Sequence, residues 1–334
     1  MYCIGVFGLW HLGSVITVSW AKQGFNVICF DHDKEILNRL RKGKHSVYEP
    51  GLEESSQDLI NKNMIKIAKN IDQLSECNFV FLTYDTPVND KDESDISILE
   101  KSVIGLGNIM KNSSCLIISS QSPLGACSYL RGKLQSLNST LELAYSPENL
   151  RLGEALECYI RPERIILGTA NEQTKKYCTA LFKYLCDNII SMSLESAELV
   201  KHGINSFLAM SIVFIDNLAD ISEKNNASIL DVIKGMKSDP RIGQQAYLNS
   251  GIGFSGGTLG RDLKVLEQKS GEEKRKSEYN LFGFIHCQNS IRKNNIVSRI
   301  EDTVVSLQEK NIGILGITYK PGTSTLRRSL PLEI

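Results

Sequence analysis

The chain has 334 residues, 42% of them hydrophobic and 23% charged, the profile of a soluble globular protein of about two domains. Its 38 basic and 38 acidic residues cancel, which excludes nucleic acid and an anionic membrane surface as expected partners and leaves an acidic ligand dependent on a local cationic site. Nine cysteines without a CxxC pair and five histidines without an HxxH or HxxxH pair exclude an expected metal site, and contexts such as VICF and SCLII read as buried thiols in a reducing cytoplasm.

Taken from the N-terminus, the first 20 residues are apolar but lack a basic start and are punctuated by Gly5, Gly8 and Gly13. They read as strand, turn and helix rather than as a signal peptide. Strands are expected at 2–7, 26–31, 79–83, 115–119, 141–145 and 164–168, with helices between them. That alternation implies a parallel, Rossmann-type α/β sheet. GLWHLG at 8–13 follows the first strand and opens a helix, the setting of a dinucleotide fingerprint. Gly8 permits the tight turn, Gly13 permits close helix–strand packing, and a pyrophosphate sits on the helix N-terminus. Trp10 holds the middle glycine's place and must point away. Asp31 ends the second strand, where a carboxylate binds a ribose diol and repels a 2′-phosphate, so NAD is expected over NADP. His11 and His32 read as surface residues.

Past residue 193 the character changes. Residues 195–224 read as one long helix, apolar around much of its circumference, as suits a helix buried between domains or subunits. No run reaches the roughly 18 apolar residues of a spanning segment. Lys201 and Asn205 are four apart and share a face, which in so apolar a helix calls for a polar cavity. GIGFSGGTLGRD fills 251–262. The charged stretch 271–278 reads as a solvated loop or helix end, and a further helix is expected over 284–309. Residues 311–319, NIGILGITY, read as a new buried strand, and SLPLEI as the first turn of a helix with Pro331 near its first position. A strand and one helical turn bury no core, so this end is expected to be the beginning of a truncated domain or a strand that docks elsewhere. The expected division is 1–193 for an NAD-binding domain, 194–309 for an all-helical central domain, and 310–334 for the start of a second Rossmann-like, nucleotide-sugar-binding domain.

The motifs run in a recognisable order. They are YEPGL (48–52), Thr86-Pro87 with Asp95 beyond, SSQSPLG (119–125), SPENLR (146–151), RPER (161–164) with Gly168, and AELVK (197–201) with Asn205. DPRIG (239–243), the 251–262 loop and GITYKPGTSTLR (316–327) follow. Together they span essentially the whole chain and resemble the UDP-glucose/GDP-mannose (nucleotide-sugar) 6-dehydrogenases. The resemblance implies NAD-dependent oxidation of the primary alcohol at carbon 6 of a nucleoside-diphosphate sugar, foremost a UDP-sugar. It also implies a cytoplasmic homodimer formed through the central helical domain. By the same resemblance, Gly8, Leu9, Trp10, Leu12, Gly13, Asp31, Thr86, Pro87, Ser120, Gln121 and Arg327 serve the cofactor. Glu148, Asn149, Leu150, Lys201, Asn205, Arg241, Gly253 and Lys320 serve the substrate. Lys201, Asn205 and Asp262 position a water and stabilise the developing oxyanion, with Glu148 and Thr258 completing the catalytic set.

Departures from the pattern fall on the chemistry. The family's loop runs approximately G-x-G-F-G-G-x-C-x-x-K-D, and its cysteine carries the covalent intermediate of a second oxidation. Here Thr258 stands in the cysteine's place and Arg261 in the lysine's, while Asp262 is kept. Gln121 replaces a threonine and Leu152 a glutamate. A threonine hydroxyl is a poor nucleophile without a strong base beside it, so the second, thiol-dependent step is put in doubt. Two other readings stand beside this one: a catalytically impaired nucleotide-sugar-binding or regulatory homologue, and a 3-hydroxyacid or 6-phosphogluconate-type dehydrogenase.

Overall fold

The computed structural model describes residues 2–87, 94–148, 150–255, 257–270, 280–304, 308–318, 326 and 329–334. The chain divides into two compact units, Met1–Val200 and Lys201–Ile334.

In the first unit the strands are β1 (Cys3–Phe7), β2 (Asn26–Phe30), β3 (Ile65–Ile67), β4 (Phe79–Leu82), β5 (Cys115–Ile118), β6 (Glu142–Tyr145), β7 (Ile165–Thr169) and β8 (Ile189–Met192). The helices are α1 (His11–Lys22), α2 (Lys34–Arg41), α3 (Leu52–Asn61), α4 (Ser97–Gly107), α5 (Ala126–Leu137), α6 (Ala155–Ile160) and α7 (Glu172–Phe182). The strands form one sheet in the order β3-β2-β1-β4-β5-β6-β7-β8, parallel except where β7 runs against β6. Strands covered by helices on both faces must be apolar at every position, and β4 (FVFL) and β5 (CLII) are wholly buried. The order reverses between β1 and β4, which opens a crevice at the carboxyl ends of those strands.

The six expected strands are all present, within a residue or two of the expected ends. β3 and β8 were not expected. They are three and four residues long and form the two edges of the sheet, so each has one neighbour and too little length for a period-2 pattern.

Helix α8 (Leu194–Lys224) carries the boundary between the units. It is long and apolar enough, by length and composition, to cross a membrane. It also holds Glu198, Lys201, His202, Asn205 and Asp216 in buried positions, each of them costly in lipid, and reads as a core helix. The second unit adds α9 (Ile229–Ser238), α10 (Thr258–Lys269), α11 (Leu281–Val304) and α12 (Leu330–Glu333), around a small core of Ala209, Phe254, Leu263 and Ile285.

Helix α11 begins three residues before the expected 284 and is described as far as Val304, and residues 308 and 309 of the expected helix are turn. The charged stretch 271–278 lies outside the described residues. α12 starts as expected, with Pro331 in its first turn. The buried strand expected at 311–319 is not found over its described part. Residues 311–318 form no strand, and Leu315 is 100% exposed. An apolar, β-branched segment becomes a strand only where another strand offers hydrogen bonds, and the second unit contains none among its described residues.

Candidate active site

The first unit builds a candidate cofactor site. Gly8 ends β1 at φ 99°, a left-handed conformation that favours glycine. Gly13 lies against that turn so closely that an added Cβ would stand 1.8 Å from the Gly8 carbonyl oxygen. Thr83 Oγ1 donates to the Phe7 carbonyl at 3.1 Å and bonds the Gly8 carbonyl as well, fixing the turn from β4. Helix α1 begins after Trp10 with no side-chain cap and no acidic residue in its first turn. Its first N–H groups and the positive end of its dipole therefore suit an anion, which is the fit a dinucleotide pyrophosphate requires. Trp10 is 51% exposed, so the bulk in the middle glycine's place turns away from the turn.

Asp31 is buried, and its carboxylate is already engaged. Oδ2 accepts from Leu9 N at 2.6 Å, while Oδ1 accepts from Asp33 N at 2.9 Å and the Tyr84 hydroxyl at 3.2 Å. The residue at the end of β2 thus ties down the fingerprint turn itself. Burial pushes the Tyr84 hydroxyl pKa up, so it stays a donor to Asp31. Leu12 packs on the sheet core. Thr86 Oγ1 donates to the Gln121 carbonyl, Pro87 accepts from Asp95 N at 2.8 Å, and buried Ser120 bonds the Leu82 carbonyl at 3.2 Å. These residues lie beyond the carboxyl ends of β4 and β5, on the same edge of the sheet as the fingerprint.

Two glutamates of the sequence motifs turn out to be caps. Glu49 of YEPGL is buried, takes Ala155 N at 2.7 Å and Gly153 N at 3.1 Å at the start of α6, and pairs with His11 Nε2 at 2.8 Å. His11, expected at the surface, is thereby drawn in, because the buried carboxylate needs a donor on that side. Glu198 of AELVK receives Gly125 N at 2.6 Å and Cys127 N at 2.8 Å, capping α5. Glu148 and Leu150 are half-buried just after β6, and Leu150 packs on the core of the first unit.

In the second unit, Lys201, Asn205 and Asp262 are all buried, the last at 0% exposure. Asn205 Nδ2 donates to Asp262 Oδ2, and His202 Nδ1 lies 2.7 Å from Asp262 Oδ1. Thr258 is the first residue of α10 and exposed, one turn before Asp262 on the same helix. A buried amide bonded to a buried carboxylate, with a buried lysine on the same helix as the amide, are groups of the kind that orient a hydroxyl and stabilise an oxyanion.

The loop before α10 is clamped by residues that no sequence motif pointed to. Asn289 of α11 brackets Phe254, accepting from its N–H at 2.8 Å and donating to its carbonyl at 2.9 Å. Gly253 (φ 103°) runs so near that a Cβ would meet Asn289 Oδ1 at 2.5 Å. Asp216 Oδ1 accepts from Gly251 N at 2.6 Å, and Arg292 Nη2 donates to the Gly251 carbonyl at 2.9 Å. Arg241 is exposed and held by Asp239 at 2.6 Å. Asn149, Lys320 and Arg327, expected to touch ligand, lie outside the described residues.

Trp10 offers a direct readout of the candidate cofactor site. The chain has two tryptophans, and Trp20 is fully buried. Adding NAD is expected to change the emission of Trp10, and Trp10→Phe to remove most of that change in a fluorescence titration.

Known proteins resemble this chain over nearly its whole length. A UDP-glucose 6-dehydrogenase of Rickettsia felis is 30% identical over 99% of this chain and 74% of its own length. One of Bacillus subtilis is 28% identical over 99% of this chain and 76% of its own length. The structure of a UDP-glucose dehydrogenase from the archaeon Pyrobaculum islandicum superposes with a TM-score of 0.92 at 25% identity, covering 100% of this chain and 78% of that one. The profile "UDP-glucose/GDP-mannose dehydrogenase family, NAD binding domain" matches residues 2–186, and the family's central-domain profile matches residues 195–282. With both domains matched in order, around a fingerprint turn and a buried Lys201–Asn205–Asp262 set, the chain belongs to the UDP-glucose/GDP-mannose dehydrogenase family.

Proposed function

We propose that the chain oxidises the primary alcohol at carbon 6 of a nucleoside-diphosphate sugar, foremost a UDP-sugar, with NAD. The observation that carries this is the buried set of Lys201, Asn205 and Asp262, joined in one chain to an uncapped dinucleotide turn. NAD, when bound, supplies the hydride acceptor. The protein's part is to hold the alcohol, exclude water and handle its proton. Lys201 and Asn205 lie on one face of α8, and Asp262 faces Asn205 from α10, so a hydroxyl bound there meets a cation, an amide and a carboxylate. Neither a purely regulatory role nor a 3-hydroxyacid-type activity is favoured by the relatives of this chain.

Thr258 limits the product. In a covalent second oxidation a thiolate adds to the aldehyde, and the Thr258 hydroxyl at the start of α10 does not replace it. The reading is therefore a two-electron oxidation that releases the aldehyde. The test counts NADH formed per sugar consumed across UDP- and GDP-sugars. About one NADH per sugar is expected for the natural chain, rising toward two in Thr258→Cys. Two NADH per sugar in the natural chain would overturn the aldehyde product, and no turnover with any sugar would overturn the enzyme reading.

The working form is read as a cytoplasmic homodimer. Phe207, Phe214 and Ile221 recur every seven residues on α8 and are each more than half exposed, an apolar stripe of the kind a second copy covers. All nine cysteines are free thiols, which suits a reducing compartment. Within the chain, residues 1–193 are read as the NAD-binding domain and 194–309 as the helical dimerisation domain. Arg241, exposed on each copy, is read as reaching the sugar nucleotide.

A further inference from the structure

The free thiols include two pairs in contact, Cys3 with Cys77 and Cys115 with Cys178, each with its sulfurs 3.6 Å apart. Cys3 opens β1, and Cys77 follows the 3-10 helix Ile71–Glu76 just before β4, so both belong to the first unit. Hydrogen bonds fix both backbones. Cys3 N donates to Asn78 Oδ1 at 3.0 Å, and the Cys3 carbonyl accepts from Asn78 N at 2.9 Å. Cys77 N donates to the Leu74 carbonyl at 3.0 Å, and the Cys77 carbonyl accepts from Ser114 Oγ at 3.1 Å. Cys3 and Gly5 share one face of β1. Gly5 leaves that face bare, for a Cβ on it would stand 3.1 Å from Cys77 Sγ.

The two pairs differ in access and charge. Cys115 and Cys178 are both 0% exposed, and the hydrogen bond with Cys178 and then burial push the Cys115 thiol well up. Cys3 is only half-buried. Its hydrogen bond with Cys77 holds the Cys3 thiol below its ordinary value, against burial and the Glu76 carboxylate, with Lys111 and Lys66 acting in the same downward direction. Both lysines are close by, Lys111 Nζ donating to the Glu76 carbonyl at 2.8 Å and Lys66 Nζ lying 3.8 Å from Glu76 Oε1. The thiolate is the form an oxidant meets, so Cys3 is the reactive member and Cys77 the partner behind it. The Cys77 thiol is pushed up first by its hydrogen bond with Cys3 and then by burial, and oxidation of Cys3 removes the first of these.

We propose that Cys3 and Cys77 are an oxidation site, joined by a reversible disulfide that locks the start of β1 to the turn before β4 when the chain meets a peroxide. The Cys3 thiolate attacks one peroxide oxygen, so that an S–O bond forms and the O–O bond breaks. Cys3 is oxidised to a sulfenic acid, and the peroxide is reduced to hydroxide, which takes up a proton and becomes water. The Cys77 sulfur then attacks the Cys3 sulfur. The S–S bond forms, the S–O bond breaks, and the hydroxyl group leaves as water with the Cys77 proton. Two thiols and one hydrogen peroxide thus give one disulfide and two waters, and a thiol reductant reverses the link. Transient disulfides of this kind are the ones a reducing compartment permits. The fingerprint turn at Gly8 lies at the opposite end of β1, so the link depends on neither cofactor nor substrate.

The test uses the full chain, reduced, freed of reductant and given hydrogen peroxide in small molar excess. The intact mass is expected to fall by two hydrogens, and a non-reduced digest to join the peptides of Cys3 and Cys77 while Cys115 and Cys178 stay reduced. Dithiothreitol is expected to restore both thiols. The melting temperature should rise by about 3–10 °C on oxidation, because the link closes a long loop, and Cys3→Ser should lose both the link and the rise. An unchanged mass overturns the proposal, as does Cys3 carried on to a sulfinic acid beside a Cys77 that is still a thiol. So does a Cys115–Cys178 link that forms first in the folded chain. A Cys3–Cys77 disulfide with no rise in melting temperature overturns the lock. The mapping is made on the natural chain, so it decides the matter even if Cys3→Ser does not fold.

Discussion

Asp262→Asn is expected to lower kcat by on the order of 10²- to 10⁴-fold while leaving the NAD dissociation constant within about twofold, in steady-state kinetics set beside a cofactor titration. Both oxygens of this carboxylate are in use, one with His202 Nδ1 and the other with Asn205 Nδ2. An amide in its place presents a donor to a donor on one side and removes a buried negative charge. The fingerprint turn and Asp31 belong to the other compact unit, so cofactor binding should persist. Asp262→Ala goes further, because it leaves two buried donors without this acceptor at about 1–3 kcal/mol each, and should also lower the melting temperature. Near-normal kcat in the folded Asn variant would remove Asp262 from the chemistry.

Gly13→Ala should weaken NAD binding by about 10- to 100-fold, equivalent to about 1.4–2.7 kcal/mol, as measured by calorimetry. The new methyl would stand 1.8 Å from the Gly8 carbonyl oxygen and 2.6 Å from Thr83 Oγ1, and the first of these is backbone with no rotamer to escape into. Helix α1 must back away from β1, carrying its N-terminal N–H groups off the position a pyrophosphate needs. Gly132 in α5 is the control. Its Cβ would meet nothing within 4 Å, so Gly132→Ala should be neutral or stabilise by up to about 1 kcal/mol. Equal NAD affinity in Gly13→Ala and the natural chain would mean that the turn is not the cofactor's anchor.

The central strands were legible because each is buried on both faces. FVFL and CLII admit no polar residue, and such runs stand out against the amphipathic helices between them. Edge strands β3 and β8 lack that constraint and left no pattern to read. The apolar run at 311–318 shows the opposite failure, since its strand-like composition found no strand to pair with among the described residues of its unit. The functional motifs behaved similarly. GLWHLG and the Lys201/Asn205 spacing carry their meaning locally, in a turn and along one helix face. Glu49 and Glu198 belong to equally visible motifs, yet serve as caps for α6 and α5, because the amides they satisfy lie far away in sequence.

The sequence by itself determined the α/β class, the NAD turn, the long central helix and the absence of a thiol at position 258, since each follows from residue type, spacing or periodicity along the chain. Only the tertiary structure decided that Asp31 secures the fingerprint turn, that Asn289, Asp216 and Arg292 clamp the loop before Thr258, and that His202 shares Asp262 with Asn205. Each of these depends on burial, which makes a polar group seek a partner wherever the fold brings one within reach, and such partnerships carry no fixed spacing in sequence.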